Sequence, residues 1–415
     1  MLVTLLLCPL WLAAQKLPAA ELLKMAGLRN PPAAFQQALL DTLGAENVQK
    51  GVAVIGEGPD FLWAVESAQT PALVVDEVAR PAMRRLGRTN LWFLTGKLKT
   101  GAAHQFHYLV NGAVFGGRND VPAYGPDSYA QPGVPQGKAP EKLVHASKIY
   151  EGMNSDYWIY VPAAYDPARP AALMVWQDGE GFAARDGGSR LLNVTDNLIH
   201  QKKIPVMIHV MISPGTPSKT WRSLEYDTVS DRYARFLRDE ILAEVQSRYN
   251  IRRDAYSRAI AGQSSGGICA FNVAWQQPNE FSRVLSRIGS FTSIQWRPAQ
   301  NLEGGNVYPF KIRKEPKRNI RVWLDDGAND LENDHGSWPL QNIQMANSLK
   351  MKGYDFHFSF GNGTHSTAHG NAELPEALTW LWRDYDPAKN EQVYEMGAAE
   401  KTKPLFRVRI ANRDH

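Results

Sequence analysis

Arg258-Ala259-Ile260-Ala261-Gly262-Gln263-Ser264-Ser265-Gly266-Gly267-Ile268-Cys269-Ala270-Phe271 is the stretch whose reading decides the fold. Its opening reads as a short buried strand and its end as the start of a helix. The Gly-x-Ser-x-Gly pattern therefore falls on a strand-to-helix turn. Such a turn holds a serine in a tight backbone geometry and lifts its hydroxyl above the sheet, beside the positive end of the new helix. The flanking glycines are expected where a β-carbon would strike the neighbouring strand or helix. A Gly/Ser-rich loop without chemistry can carry the same pentapeptide, but the strand before it and the helix after it favour Ser264 as a nucleophile.

Outward from this turn, strand and helix patterns alternate. Residues 172–176 and 206–212 are continuous apolar runs, as in strands buried on both faces of a parallel sheet. Between 231 and 249, Tyr233, Phe236, Leu237, Ile241, Leu242 and Val245 recur at spacings of three and four and make one helical face. Strands are expected at 320–324 and 356–360, and helices at 339–352 and 375–382. This alternation predicts an α/β, doubly wound, parallel-rich sheet over residues 143–385.

The first part of the chain reads differently. Residues 15–45 look helical, broken at Asn30-Pro31-Pro32. From 46 to 120 short apolar runs alternate with turns, and Asn111-Gly112 between two such runs signals a hairpin. A small β-sandwich is expected there. Residues 121–142, rich in Pro and Gly, read as a linker. The tail 386–415 shows little pattern.

At 415 residues two domains are expected. The net charge is only +4, without long like-charge runs, which argues against nucleic acid as a partner. Residues 1–14 are nearly all apolar and too short to span a bilayer, for which about 20 residues are needed. They fit a secretory signal, although no Lys or Arg precedes the run. The expectation is a secreted or periplasmic protein with no membrane span once processed. Removing Cys8 with the signal would leave Cys269 alone, so no internal disulfide is expected.

A serine nucleophile needs a base and an acid, in the order Ser, Asp or Glu, His for an α/β-hydrolase. Downstream of Ser264 and before His415 stand His335, His357, His365 and His369. His357 falls inside an expected strand. His365 lies in the loop after it, where a base can reach across, and His369 is its competitor. The acid is expected in 325–332, with Asp330 best placed past the turn at Gly327 and Asp326 and Glu332 as alternatives. No Cys/His cluster has ligand spacing, so neither metal nor cofactor is expected.

With these motifs in order, residues 149–385 resemble the esterase D-like family, which includes enterochelin esterases, feruloyl and acetylxylan esterases and the antigen 85 mycolyltransferases. The similarity rests on Gly-x-Ser-x-Gly-Gly at 262–267, Gly-x-Asn-Asp at 327–330 and Gly-x-His at 363–365. It implies Ser264, Asp330 and His365 as nucleophile, acid and base. Thr364 departs from the commoner Gly-Gly-His. Gln177-Asp178-Gly179-Glu180 is similar to the family's Asp-Gly loop, which implies an oxyanion hole from the Glu180 and Ser265 amides. Arg222-Ser223-Leu224-Glu225 is similar to its Arg-x-x-Glu, implying an Arg222–Glu225 ion pair at the site edge. The leading β region is similar in architecture to the immunoglobulin-like domain that precedes siderophore esterases.

The expected chemistry is two-step acyl transfer on a small-molecule or polysaccharide-linked ester, feruloyl, acetyl or siderophore-type. An acyltransferase would use the same three residues, a carbohydrate-binding protein would need none of them, and a peptidase has no selecting domain here. Trp221, Trp296 and Trp338 are candidates to border the pocket.

Overall fold

The computed structural model describes residues 16–216 and 221–408. The apolar leader expected over 1–14 lies outside the described residues. The chain divides into two compact units, the first running to Thr100 and from His104 to Ala123, the second holding Gly101–Ala103 and the rest from Tyr124.

The first unit opens with helices α1 (Ala19–Gly27), α2 (Phe35–Leu43) and α3 (Ala45–Lys50). Eight strands follow: β1 (Ala53–Glu57), β2 (Asp60–Glu66), β3 (Ala72–Val75), β4 (Val78–Ala79), β5 (Arg84–Arg85), β6 (Leu91–Lys97), β7 (Ala102–Val110) and β8 (Ala113–Ala123). They form two four-stranded sheets, β1-β2-β6-β5 and β4-β3-β7-β8. Side chains alternate across a strand, and β2 shows what this does. Phe61, Trp63 and Val65 join Leu73, Val75, Phe106 and Tyr108 in one core, while Leu62 and Ala64 face Leu22, Phe35 and Leu39 of the helices in another. Asn111 and Gly112 take positive φ at the β7–β8 turn, as the hairpin reading requires.

The second unit is built on an eight-stranded sheet. Its strands are β9 (Glu141–Ala146), β10 (Asn154–Tyr160), β11 (Ala172–Gln177), β12 (Met207–Ile212), β13 (Arg258–Gln263), β14 (Arg283–Arg287), β15 (Arg321–Gly327) and, after a short hairpin β16 (Glu332–Asn333)–β17 (Gly336–Ser337), β18 (Asp355–Gly361). The order is β18-β15-β14-β13-β11-β12-β10-β9, parallel from β18 to β12, with β10 antiparallel to both its neighbours.

Both faces are covered, as the continuous apolar strands require. Leu173, Val175, Ile260, Val284 and Val322 face one core, which includes Phe236 and Leu237 of helix α7 and the turn after it. Met174, Trp176, Ala259, Ala261 and Trp323 face the other, with Leu191 and Leu378. The helices are α4 (Glu180–Ala183), α5 (Leu191–His200), α6 (Trp221–Tyr226), α7 (Arg232–Phe236), α8 (Leu242–Arg248), α9 (Ser265–Gln276), α10 (Tyr308–Lys314), α11 (Trp338–Met351), α12 (Ala368–Leu381) and, in the tail, α13 (Ala398–Thr402). The helix expected over 231–249 is interrupted by a π turn, Leu237–Ile241, between α7 and α8.

Two stretches are more ordered than their composition suggests. Residues 124–129 of the Pro/Gly-rich segment lie against α5, where Asn197 Nδ2 donates to the carbonyls of Asp127 (2.8 Å) and Tyr129 (2.7 Å). In the tail, Phe406 packs on Phe356 and Phe358.

The chain runs from β11 to β12 on one side, then returns to place β13 on the other side of β11. Such a reversal opens a crevice at the carboxyl ends of the strands, the usual place for a ligand in an open α/β sheet.

Candidate active site

Ser264 stands at that crevice, between β13 and α9. Its φ of 57° and ψ of −123° are unfavourable for a residue with a β-carbon, and its neighbours show why the turn stays closed. A β-carbon on Gly262 would come within 2.2 Å of the Gly266 carbonyl oxygen, and one on Gly267 within 2.9 Å of Arg287 O. Ser264 N donates to Arg287 O at 2.9 Å and its carbonyl accepts from Ser290 N at 3.0 Å, so β14 and the residues after it hold the turn on both sides.

The loops after β15 and β18 are zipped together. Ala328 N donates to Gly361 O (2.9 Å) and Asn329 N to Gly363 O (3.0 Å). They carry Asp330 and His365. His365 Nε2 lies 2.8 Å from Ser264 Oγ, and His365 Nδ1 lies 2.5 Å from Asp330 Oδ1. The Asp330 carboxylate is fully buried and the imidazole is about one-fifth exposed. The structure thus brings together Ser264, His365 and Asp330, although they are separated by 35 to 101 residues in sequence.

The alternatives fall elsewhere. His369 bonds to Ser359 Oγ and Glu373 Oε1, each at 3.0 Å. Burial opposes its charge, but the Glu373 and Asp325 carboxylates outweigh it and raise its pKa. Asp326 accepts from Gly327 N and from Asn342 Nδ2, and burial, with the neighbouring Asp330 carboxyl, holds its pKa well above the usual carboxylate range. Glu332 is exposed on the hairpin.

The two implied oxyanion donors differ. Ser265 opens α9, so its N–H has no intrahelical partner. Glu180 N is engaged, donating to Ser213 Oγ at 3.3 Å. The β11–α4 turn still abuts the elbow: a β-carbon on Gly266 would lie 3.1 Å from Asp178 Oδ2.

The expected Arg222–Glu225 ion pair is not formed. Arg222 binds Asp178 with two bonds, Nε to Oδ1 (2.7 Å) and Nη2 to Oδ2 (2.8 Å), because a planar fork matches a carboxylate that faces it squarely. Glu225 is buried and accepts from Gly215 N at 2.8 Å. Burial, and then the charge of Asp178, push its pKa up to about 8.

Of the three tryptophans, Trp338 is buried with its ring edge-on to His365 at 5.6 Å. Trp221 packs on Tyr150, and Trp296 is 55% exposed. Sequence reading passed over Ser290, whose Oγ lies 3.3 Å from Ser264 Oγ. Its only signal was the Gly289-Ser290 pair after a strand hidden by two arginines.

Together these groups make a hydroxyl bonded to an imidazole that is itself oriented by a buried carboxylate. That arrangement can take a proton from an alcohol as it attacks a carbonyl, and return it to a leaving group.

The family model described as Putative esterase matches residues 151–381. The iron(III) enterobactin esterase of Dickeya dadantii (strain 3937) is 23% identical over 245 residues, covering 55% of this chain and 52% of that protein. The match thus spans about half the length of that relative. In fold, the enterobactin esterase of Shigella flexneri, solved in the presence of enterobactin, aligns with a TM-score of 0.55 and 18% identity over 86% of this chain and 99% of its own. The ferric enterobactin esterase of Salmonella typhimurium aligns with a TM-score of 0.54 and 17% identity, over 78% and 93%.

Proposed function

The chain belongs to the Putative esterase family, and from that premise we propose that it is a serine carboxylic-ester hydrolase with Ser264 as nucleophile, His365 as base and Asp330 as the acid that orients it. One observation carries the reading: the continuous bonding of Ser264 Oγ to His365 Nε2 and of His365 Nδ1 to Asp330.

In the first step the Ser264 proton passes to His365 Nε2 while Oγ bonds to the ester carbon and the carbonyl electrons move onto oxygen. The Ser265 N–H faces that oxyanion, joined by Glu180 N–H once it gives up its long bond to Ser213. Collapse expels the alcohol, which takes the proton from His365. Water repeats the sequence and releases the acid. Arg222, locked to Asp178, holds the β11 turn beside the elbow instead of pairing with Glu225.

We propose siderophore-type esters as the substrate class, after the enterobactin esterase relatives. Feruloyl- or acetyl-bearing polysaccharide esters are the second reading, favoured by Trp296, whose exposed indole suits stacking on an aromatic acyl group or a sugar.

The test is hydrolysis of p-nitrophenyl acetate and of a siderophore trilactone, feruloyl and acetyl-xylan esters. Ser264→Ala and His365→Ala should each lose at least about 10³-fold in kcat/KM, while His369→Ala keeps its chemistry. Activity above about 1% in Ser264→Ala would sink the assignment.

A further inference from the structure

We infer that Ser290, anchored by Trp338, is a positioning residue for the nucleophile: its hydroxyl donates to Ser264 Oγ and stays bound to it as negative charge develops there. The inference rests on the esterase reading and adds a residue to it.

The direction of each bond follows from what each group can donate. An indole N–H is only a donor, so at 3.1 Å Trp338 Nε1 gives its hydrogen to Ser290 Oγ. That fills one lone pair of Ser290 and turns its own hydrogen away from the indole. Ser264 Oγ is the acceptor within reach, at 3.3 Å. Ser264 in turn donates to His365 Nε2, because Nδ1 donates to Asp330. The bonds therefore run one way, from Trp338 through Ser290 and Ser264 to His365.

The parts are held from several sides. Ser290 is 1% exposed and Trp338 2%. Ser290 N bonds the Ser264 carbonyl, and Trp338 N donates to Leu331 O, one residue past Asp330. Asn342 Nδ2 lies 3.0 Å from Gly289 O and 3.1 Å from Trp338 O. The indole also packs against His365. Trp338 thus touches the surroundings of all three proposed catalytic residues.

At 3.3 Å the Ser290–Ser264 contact is long for a neutral hydroxyl pair, which favours 2.5–3.0 Å. A weak ground-state bond suits the role. As the Ser264 proton moves to His365, partial negative charge builds on Oγ before its bond to carbon is complete, and a bond to a more negatively charged acceptor is shorter and stronger. An interaction stronger in the transition state than in the ground state raises kcat without tightening substrate binding. Ser290 keeps its own proton throughout and forms no covalent bond. In deacylation it faces the same oxygen as Ser264 leaves.

The experiment compares Ser290→Ala, Trp338→Phe and the double variant, with kcat and KM for p-nitrophenyl acetate and the rate of labelling by a fluorophosphonate. In that labelling the Ser264 Oγ–P bond forms as P–F breaks, fluoride leaves and the hydroxyl proton passes to His365. Ser290→Ala should lower kcat and the labelling rate about 10–100-fold, less than a full oxyanion donor is worth, with KM within twofold. Trp338→Phe keeps the ring against His365 and should lose several-fold. The double variant should be no worse than Ser290→Ala, because both act through one bond. Wild-type labelling and kcat in Ser290→Ala, or losses that multiply in the double variant, would overturn the inference. A wild-type protein that takes no label, with activity retained in Ser264→Ala, would instead overturn the esterase reading beneath it.

Discussion

Glu225 is a carboxyl placed where a carboxylate is costly. It is 1% exposed, among the described residues only its Oε2 is bonded, to Gly215 N, and Asp178 adds a like charge nearby. Its pKa of about 8 in the fold exceeds the ordinary value near 4.5, so between those values the folded protein keeps a proton that the unfolded chain releases. The stability this gives is fully present below the unfolded pKa and is lost as pH rises through about 8. Glu225→Gln can still accept from Gly215 N but cannot ionise. The two proteins should therefore melt nearly alike near pH 5, while at pH 8.5 the variant should be more stable by about 4 kcal/mol, a shift on the order of 10 °C. Parallel melting curves at every pH would mean that Glu225 titrates normally. Its neighbour Arg222 also departs from expectation: the resemblance to the family's Arg-x-x-Glu implied a pair, but the fork chose Asp178, 44 positions away. Spacing along a helix says which side chains are near each other, not which carboxylate meets a guanidinium in plane.

At the scale of elements, the base and acid are held by backbone as much as by side chains. Gly327 and Gly361 are paired in the β15–β18 register, and the loops beyond them stay in contact. A β-carbon on Gly327 would lie 2.2 Å from Gly363 O, with backbone on the far side that cannot rotate away. Gly327→Ala should therefore push the two loops apart, lowering kcat/KM by on the order of 10²-fold for a shift near 1 Å and stability by about 3 kcal/mol. Gly27→Ala, where a β-carbon meets open space, serves as control and should change neither. Kinetics and denaturation curves check both, and a fully active Gly327→Ala would show that the loops yield. Glycine punctuation of this kind is why Ser264, Asp330 and His365 were legible in sequence. β14 was not, because Arg283 and Arg287 interrupt its apolar run. Both are buried: Arg283 lies among the rings of Tyr256, Trp382, Tyr385 and Tyr394, and Arg287 Nη1 reaches Asn371. Losing β14 meant losing Ser290 just past it. β9 and β10 were missed for a different reason, since these antiparallel strands at one end of the sheet mix polar with apolar residues and lack the continuous run that marked β11 and β12.

For the whole molecule, the question is where the second unit begins. Composition marks residues 121–142 as spacer, and a boundary near Ala139 follows from that reading. The bonds favour a boundary at Tyr124. Beyond the two bonds from Asn197, Asn193 Nδ2 donates to Ser128 O (3.3 Å), Gln201 Nε2 to Asp127 Oδ1 (2.7 Å) and Tyr124 Oη to Gly188 O (2.5 Å). The Arg190 guanidinium sits over the rings of Tyr124 and Tyr129, 5.1 and 5.0 Å from their centroids. Proline and glycine suit this segment because its carbonyls are taken by side chains, leaving no ladder for its amides to join. Asn193 and Asn197 are almost fully buried in α5, the helix that carries Leu191, Val194 and Leu198 into the core on that face of the sheet. A chain beginning at Ala139 would uncover them and remove the Asp127, Ser128 and Tyr129 carbonyls to which they donate, at about 1 kcal/mol per lost bond and more where a polar group stays buried. Two truncated chains can be compared directly. The one starting at Tyr124 should fold and hydrolyse p-nitrophenyl acetate. The one starting at Ala139 should be less stable by on the order of 3 kcal/mol, melting several degrees lower, because α5 has lost its outer support. Equal melting temperatures would make residues 124–138 a spacer after all, as their composition first implied.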